Sequence, residues 1–330
     1  MTASGRALID GSRATETLAL YERMLLIRRF EDAVQALFQK GEVHGTTHLY
    51  SGQEAGAVGV CAALRAGDRV AGTYRGHGHA LALGVDPQAL MDELLGRASG
   101  VCGGRAGSMN VVDLERGLVG CFGIVGGSIA AATGVALAFQ RRGLENVAVA
   151  FFGDGTSNQA YFAECLNFAQ VLRLPAVFVC ENNRYMEFTP IEDVTAGEIR
   201  RRAEVLGLWS RTVDGMDLRA VLPAAAEAVA HARSGEGPAF LETLTYRFVG
   251  HSRSDPGAYR KPGELDEMRL RDPLLIERGR LIESGAGAGD LDALEDEVRR
   301  RVEEIIERAL AAPFPSPEAQ AGEYREVDAA

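Results

Sequence analysis

The sequence predicts an α/β fold built on a mostly parallel sheet with helices on both faces. Two apolar runs of strand length, VAVAFF (147–152) and LPAVFVC (174–180), stand either side of a helix-length segment. Neither alternates polar with apolar residues, so each reads as a strand buried on both faces. Each also ends in a polar, turn-forming motif, where an open parallel sheet presents its ligand-binding crevice.

Taken in order, residues 15–39 predict a helix, because Met24, Ile27, Phe30, Val34 and Leu37 recur every three or four positions. A second helix is expected over 52–64. The stretch 97–127 is too glycine-rich for regular structure, and a loop that long inside a compact domain is usually functional. SIAAATGVALAFQ then reads as a helix with small residues for close packing. A further helix is expected from about 157 to 172, with Thr156 and Gln159 as its capping box. TLTYRFVG (243–250) reads as another strand, and Leu291, Leu294, Val298, Val302, Ile305 and Ala309 mark a late amphipathic helix. The final PFPSPEAQAGEYREVDAA should be extended, lying against something else. With no repeat and no linker, residues 1–330 are read as one unit with an N-terminal helical segment and a C-terminal tail.

Composition narrows the chemistry. A 46 % hydrophobic and 25 % charged chain is globular in type. Its net charge of -11 argues against a nucleic-acid groove. No run reaches the roughly 18–20 apolar residues of a membrane span, and the first residues lack the basic-then-apolar pattern of a secretory signal. A cytoplasmic protein is expected. The five cysteines are scattered without a C-x-x-C pair, which suits buried thiols rather than disulfides or zinc. Lys40 and Lys261 are the only lysines and both lie in polar contexts, which disfavours imine chemistry.

GDGTSN (153–158) and ENNRY (181–185) carry the chemistry. Gly153 and Gly155 permit a tight turn and close approach of a ligand, and the start of the following helix favours an anion such as a phosphate. Asp154 then conflicts with that anion. A carboxylate about 4 Å from a phosphate oxygen costs about 4 kcal/mol at an effective dielectric of about 20. A divalent cation between them reverses the sign. Asp154, the Asn183 amide oxygen and a nearby backbone carbonyl are hard oxygen ligands suited to Mg²⁺, with a diphosphate completing the shell. A dinucleotide site fits less well, since GDGTSN lacks the third glycine of G-x-G-x-x-G. His44 with His48, and the H-G-H of His77 and His79, have spacings that suggest zinc, but their glycine-rich surroundings promise no rigid helix face. Arg141 and Arg142 read as a solvated helix end.

GDG (153–155) and the asparagine pair 182–183, with residues 156–181 between them, resemble the thiamine diphosphate signature. From about residue 18 to 317 the chain resembles the α subunit of the decarboxylating component of 2-oxo acid dehydrogenase complexes. The blocks HGTTHLYSGQEA, TYRGHGHALALG, GGRAGSMNVVD, GIVGGS, GDGTSNQ, ENNRY, VDGMD and GHSRSDPG occur in matching order. The resemblance implies a thiamine-diphosphate-binding fold and roles residue by residue. Tyr74 and Arg75 would hold the diphosphate; Gly123 and Val125 would cradle the aminopyrimidine. Asp154, Asn183 and the Tyr185 carbonyl would bind Mg²⁺, with Gly155 on the diphosphate. His48 would sit near the substrate end of the coenzyme, His251 would touch its phosphate side and help stabilise intermediates, and both would steer protons.

It also implies a separate β subunit that supplies the activating glutamate in an α₂β₂ heterotetramer, and a lipoyl-bearing acyltransferase that takes the acyl group. The substrate would be a 2-oxo acid or acetoin. Two departures, Asn110 where many pyruvate-type chains have histidine and MEFTP after ENNRY, are similar to acetoin-type variants and leave the substrate open. A thiamine enzyme that never acylates lipoamide, or a non-catalytic partner, would keep the same fold. Ser252 matches a serine phosphorylated in eukaryotic relatives, and is read here as a loop-capping hydroxyl.

Overall fold

The computed structural model describes residues 11–43 and 45–317. His44 and the tail beyond 317 lie outside them, as do the first ten residues. The chain runs α1 (Gly11–Gln39), α2 (Glu54–Cys61), β1 (Arg69–Thr73), α3 (His77–Leu83), α4 (Pro87–Leu94), β2 (Leu118–Phe122), α5 (Gly127–Arg141) and β3 (Ala148–Gly153). A 3₁₀ turn (Asp154–Asn158) leads to α6 (Ala160–Leu172), β4 (Ala176–Asn182) and a small hairpin of β5 (Tyr185–Met186) and β6 (Thr189–Pro190). Then follow α7 (Ile191–Val194), α8 (Ile199–Val205), β7 (Trp209–Asp214), α9 (Leu218–Arg233), β8 (Ala239–Leu244), α10 (Glu264–Arg269), α11 (Pro273–Glu283) and α12 (Ala288–Ala311).

Six strands form one sheet in the order β2-β1-β3-β4-β8-β7, and every neighbouring pair is parallel. Strand residues alternate between two cores. Val149, Phe151, Val177, Val179 and Leu241 face one packed by α1, α2, α9 and α12. Ala148, Ala150, Phe152, Phe178 and Phe240 face the other, packed by α5, α6 and α8. This is the expected α/β architecture with helices on both faces. The chain steps from β1 outward to β2 and then back across to β3, so the strand order reverses between β1 and β3. A crevice opens there at the carboxyl ends of the strands. Among the described residues no helix is long and apolar enough to cross a membrane.

Several sequence expectations need correction. The glycine-rich 97–127 stretch contains β2, because LVGCF can extend along β1 with Gly120 close to fully extended at φ 159°. The last strand is Ala239–Leu244 rather than 243–250. The apolar character continues past Leu244, but the chain leaves the sheet there: Tyr246 and Phe248 pack into a small cluster with Tyr185, Met216 and Met268, and Arg247 lines the crevice. The helix expected at 157 starts at Ala160, and no side chain caps it. Thr156 lies in the 3₁₀ turn and Gln159 at the helix N-cap, so the capping box does not form. His77 and His79 stand on a helix after all, α3, and both are fully buried.

Candidate active site

The crevice is assembled from strand ends. At the end of β3 the chain tightens into the 3₁₀ turn and buries Asp154 to 2 % exposure. One carboxylate oxygen, Oδ1, accepts the Gly155 N–H at 2.8 Å, while Oδ2 is buried with no partner. Burial pushes this carboxyl up to about 6, against the opposing pull of the Gly155 N–H and the Arg247 charge. At the end of β4, Asn183 Oδ1 accepts the Tyr185 N–H at 3.3 Å and Nδ2 donates to Gln53 Oε1 at 3.1 Å. Arg184 adopts a left-handed φ of 72°, which turns the chain sharply between Asn183 and Tyr185.

Glycine keeps the crevice floor bare. A Cβ added at Gly123 or Gly153 would meet no atom within 4 Å, so a side chain there would stand in the space a ligand needs. At Gly155 a Cβ would lie 2.6 Å from Met186 Cγ, so backbone alone fits between the two.

The opposite wall is aromatic and basic. The His48 ring lies 4.5 Å from that of Tyr74 and 4.9 Å from that of His251. Burial first, then the Arg75 charge, pushes His48 down to about 3 and His251 to about 4, so both imidazoles are neutral near pH 7. Arg247 Nη1 lies 3.2 Å from His251 Nδ1. A guanidinium only donates, so Nδ1 accepts and the His251 hydrogen is assigned to Nε2. Arg247 also donates to the Glu187 carbonyl and to the Tyr259 hydroxyl, while its Nε is buried without a partner. Asp255 accepts the His251 N–H at 2.5 Å and the Tyr259 hydroxyl at 2.9 Å, which pins the loop.

These residues enclose a pocket of ≈ 290 Å³. Its lining includes His48, Tyr74, Gly123, Val125, Asp154, Gly155, Asn183, Tyr185 and His251. Arg75 stands one layer back. Its guanidinium donates to the Leu49 carbonyl at 2.5 Å and the His251 carbonyl at 2.8 Å, tying the two histidine-bearing segments together. Sequence reasoning missed Arg247, Met109 and Gln159, which also line the pocket. A single charged residue inside the otherwise uncharged TLTYRFVG was the available signal for Arg247.

Other readings resolve elsewhere. His77 is engaged by Glu31 and Ser108, and His79 by Glu181, so the H-G-H nitrogens serve separate internal partners. Ser252 meets the Ser254 hydroxyl at 3.2 Å rather than capping a backbone amide. Cys61, Cys121 and Cys180 are buried thiols, Cys102 and Cys165 partly so, and all five are free.

The pocket suits an anion carried by a divalent cation. Asp154 Oδ2 and the Asn183 oxygen are hard ligands, and bare glycine backbone and neutral imidazoles complete the wall.

A family model, described as the dehydrogenase E1 component, matches residues 22–318. The α subunit of acetoin:2,6-dichlorophenolindophenol oxidoreductase from Bacillus subtilis is 44 % identical over 312 residues, covering 93 % of this chain and 92 % of the relative. Its counterpart in Cupriavidus necator is 43 % identical over 304 residues, covering 91 % of each chain. The pyruvate dehydrogenase E1 component subunit α of Rhizobium meliloti is 43 % identical over 303 residues, covering 91 % and 87 %. With the strand-end pocket and a match over most of its length, the chain belongs to the dehydrogenase E1 component family.

Proposed function

We propose that this chain is the α subunit of a cytoplasmic, thiamine-diphosphate-dependent dehydrogenase that acts on acetoin or a 2-oxo acid such as pyruvate. It works with a β subunit in an α₂β₂ assembly, and a lipoyl group on an acyltransferase accepts the acyl product. The observation that carries the reading is Asp154, a buried carboxylate with an unpartnered oxygen at a strand tip, opposite Asn183. Such a group is tolerable beside a diphosphate only through a bridging cation.

Asp154, the Asn183 amide oxygen and the Tyr185 carbonyl would hold Mg²⁺. Gly155 and Tyr74 would meet the diphosphate, with Arg75 supplying positive charge from the layer behind. Gly123 and Val125 would support the aminopyrimidine. The coenzyme, when bound, supplies the nucleophilic carbon and electron sink that cleavage beside a carbonyl requires. His251, with hydrogen on Nε2, has a proton to donate, and His48, whose Nδ1 is buried without a partner, lines the pocket beside it. Together they would hold a proton at the substrate oxygen. In this reading residues 1–330 form one diphosphate-binding unit, and the activating glutamate comes from β.

The test is an assay of the full chain with and without its β subunit, using acetoin, pyruvate and branched-chain 2-oxo acids in turn. Lipoamide and an artificial dye serve as alternative acceptors. Turnover that needs β and reduces lipoamide supports the reading. Full turnover by the α chain alone sinks the split site, and turnover with the dye only removes the lipoyl step.

A further inference from the structure

Beside the pocket lies a set of buried polar groups that do not touch it. Glu31 of α1, fully buried, accepts the Tyr50 N–H at 3.0 Å. The same carboxylate engages His77 Nδ1 at 3.0 and 3.2 Å. A carboxylate only accepts, so Nδ1 carries the hydrogen. On the far side of the ring, Nε2 lies 2.9 Å from the Ser108 hydroxyl.

Two pocket walls therefore hang from one carboxylate. Tyr50 is two residues from His48, and Ser108 precedes Met109; His48 and Met109 both line the pocket. The loop before Ser108 is fixed in turn by Glu93 of α4, buried and fully enclosed. Its oxygens accept the N–H groups of Cys102 and Gly104 at 2.8 Å, Ala106 at 2.6 Å and Gly107 at 3.2 Å. Serine, imidazole and carboxylate in this order are also the parts of a hydrolytic triad. Here Ser108 is 5 % exposed and His77 and Glu31 are 0 % exposed, so substrate has no access and the available role is positional.

We propose that Glu31, His77 and Ser108 form a positioning relay. It clamps the 46–50 segment and the 102–109 loop to helix α1, and so fixes His48 and Met109 relative to one another. That these two side chains meet substrate rests on the function proposed above; the clamp itself does not.

Hydrogen–deuterium exchange on the full chain, without coenzyme, reads the clamp directly. Ser108→Ala is expected to speed exchange in the 102–109 peptide about fivefold, the loss of one hydrogen bond, and to leave 46–50 unchanged. His77→Asn keeps an amide near the Nδ1 position and should reproduce that pattern. Glu31→Gln should speed exchange in both segments. Acceleration spread evenly over the chain, or Glu31→Gln affecting only one segment, overturns the relay. If Glu31→Gln does not fold, the other two variants still decide, because acceleration at 46–50 or none at 102–109 contradicts it.

In the enzyme assembled with β, Glu31→Gln should raise the substrate KM about tenfold with kcat little changed. Adding Ser108→Ala should make it no worse, since both act through one unit. A KM unchanged by Glu31→Gln, or additive effects of the two substitutions, would also overturn the relay. Wild-type enzyme inert on every substrate would contradict the proposed function, while the exchange pattern would still judge the clamp.

Discussion

Asp154 has two carboxylate oxygens out of water and only one hydrogen bond to show for it. A buried charge in that state opposes folding until a cation reaches it. Asp154→Asn should therefore stabilise the ligand-free chain by about 1–3 kcal/mol in chemical denaturation, even as it damages cation binding. Unchanged or lower stability would show that Oδ2 is satisfied in solution. His48 makes the complementary point. Its folded value, near 3, lies below the ordinary 6.5, so the folded state takes up protons less readily than the unfolded chain. Stability present above pH 6.5 is lost as pH falls toward the folded value, by about 1.4 kcal/mol per unit for this group. His48→Gln should remove about 1 kcal/mol of the loss between pH 6.5 and 5.5, where the slope is still building, measured by denaturation at each pH. At this scale the strand-end carboxylate and amide were legible, because their motif spacing is local to the chain. Arg247 and Met109 were not, because their neighbours in the pocket come from distant segments.

Among the elements, helix α3 is a tight joint. A Cβ on Gly78 would lie 2.2 to 2.6 Å from Tyr50 ring atoms. That ring is fully buried with its hydroxyl on Glu181, so it has nowhere to go. Gly78→Ala should cost about 1–3 kcal/mol in stability and weaken coenzyme binding as well, because the adjoining Leu49 carbonyl holds Arg75. On the far side, Ile305 of α12 is 2 % exposed in the core shared with α1. Ile305→Ala should cost about 2–5 kcal/mol in stability and leave coenzyme affinity nearly unchanged. Denaturation curves and binding titrations on both variants separate the two kinds of joint.

The same contrast explains which elements could be read. The strands β3 and β4 are continuous apolar runs and the helices α1 and α12 keep a clean period, so local pattern sufficed. Strand β7, WSRTVD, lies at the sheet edge with every residue half-buried, and β2 lies in a glycine-rich stretch. Their pairing with β8 and β1 makes them strands, and pairing is not a local property.

For the whole molecule, the pocket's outer rim remains apolar. Ile124 is 71 % exposed and Phe188 49 %, at the mouth beside Val125 and His251. Apolar surface at a pocket mouth is where a partner is expected to close it. Full chain with coenzyme and Mg²⁺ should give no turnover above a blank, and adding the β subunit should restore it. The most direct test of the account replaces Asp154 by alanine and titrates thiamine diphosphate, with and without Mg²⁺, into the enzyme assembled with the proposed β subunit by calorimetry. The wild type should bind in a Mg²⁺-dependent manner, and the variant about 100-fold more weakly, a loss of about 2.7 kcal/mol. Equal affinity with the metal requirement intact would contradict the role given to Asp154, and with it the site.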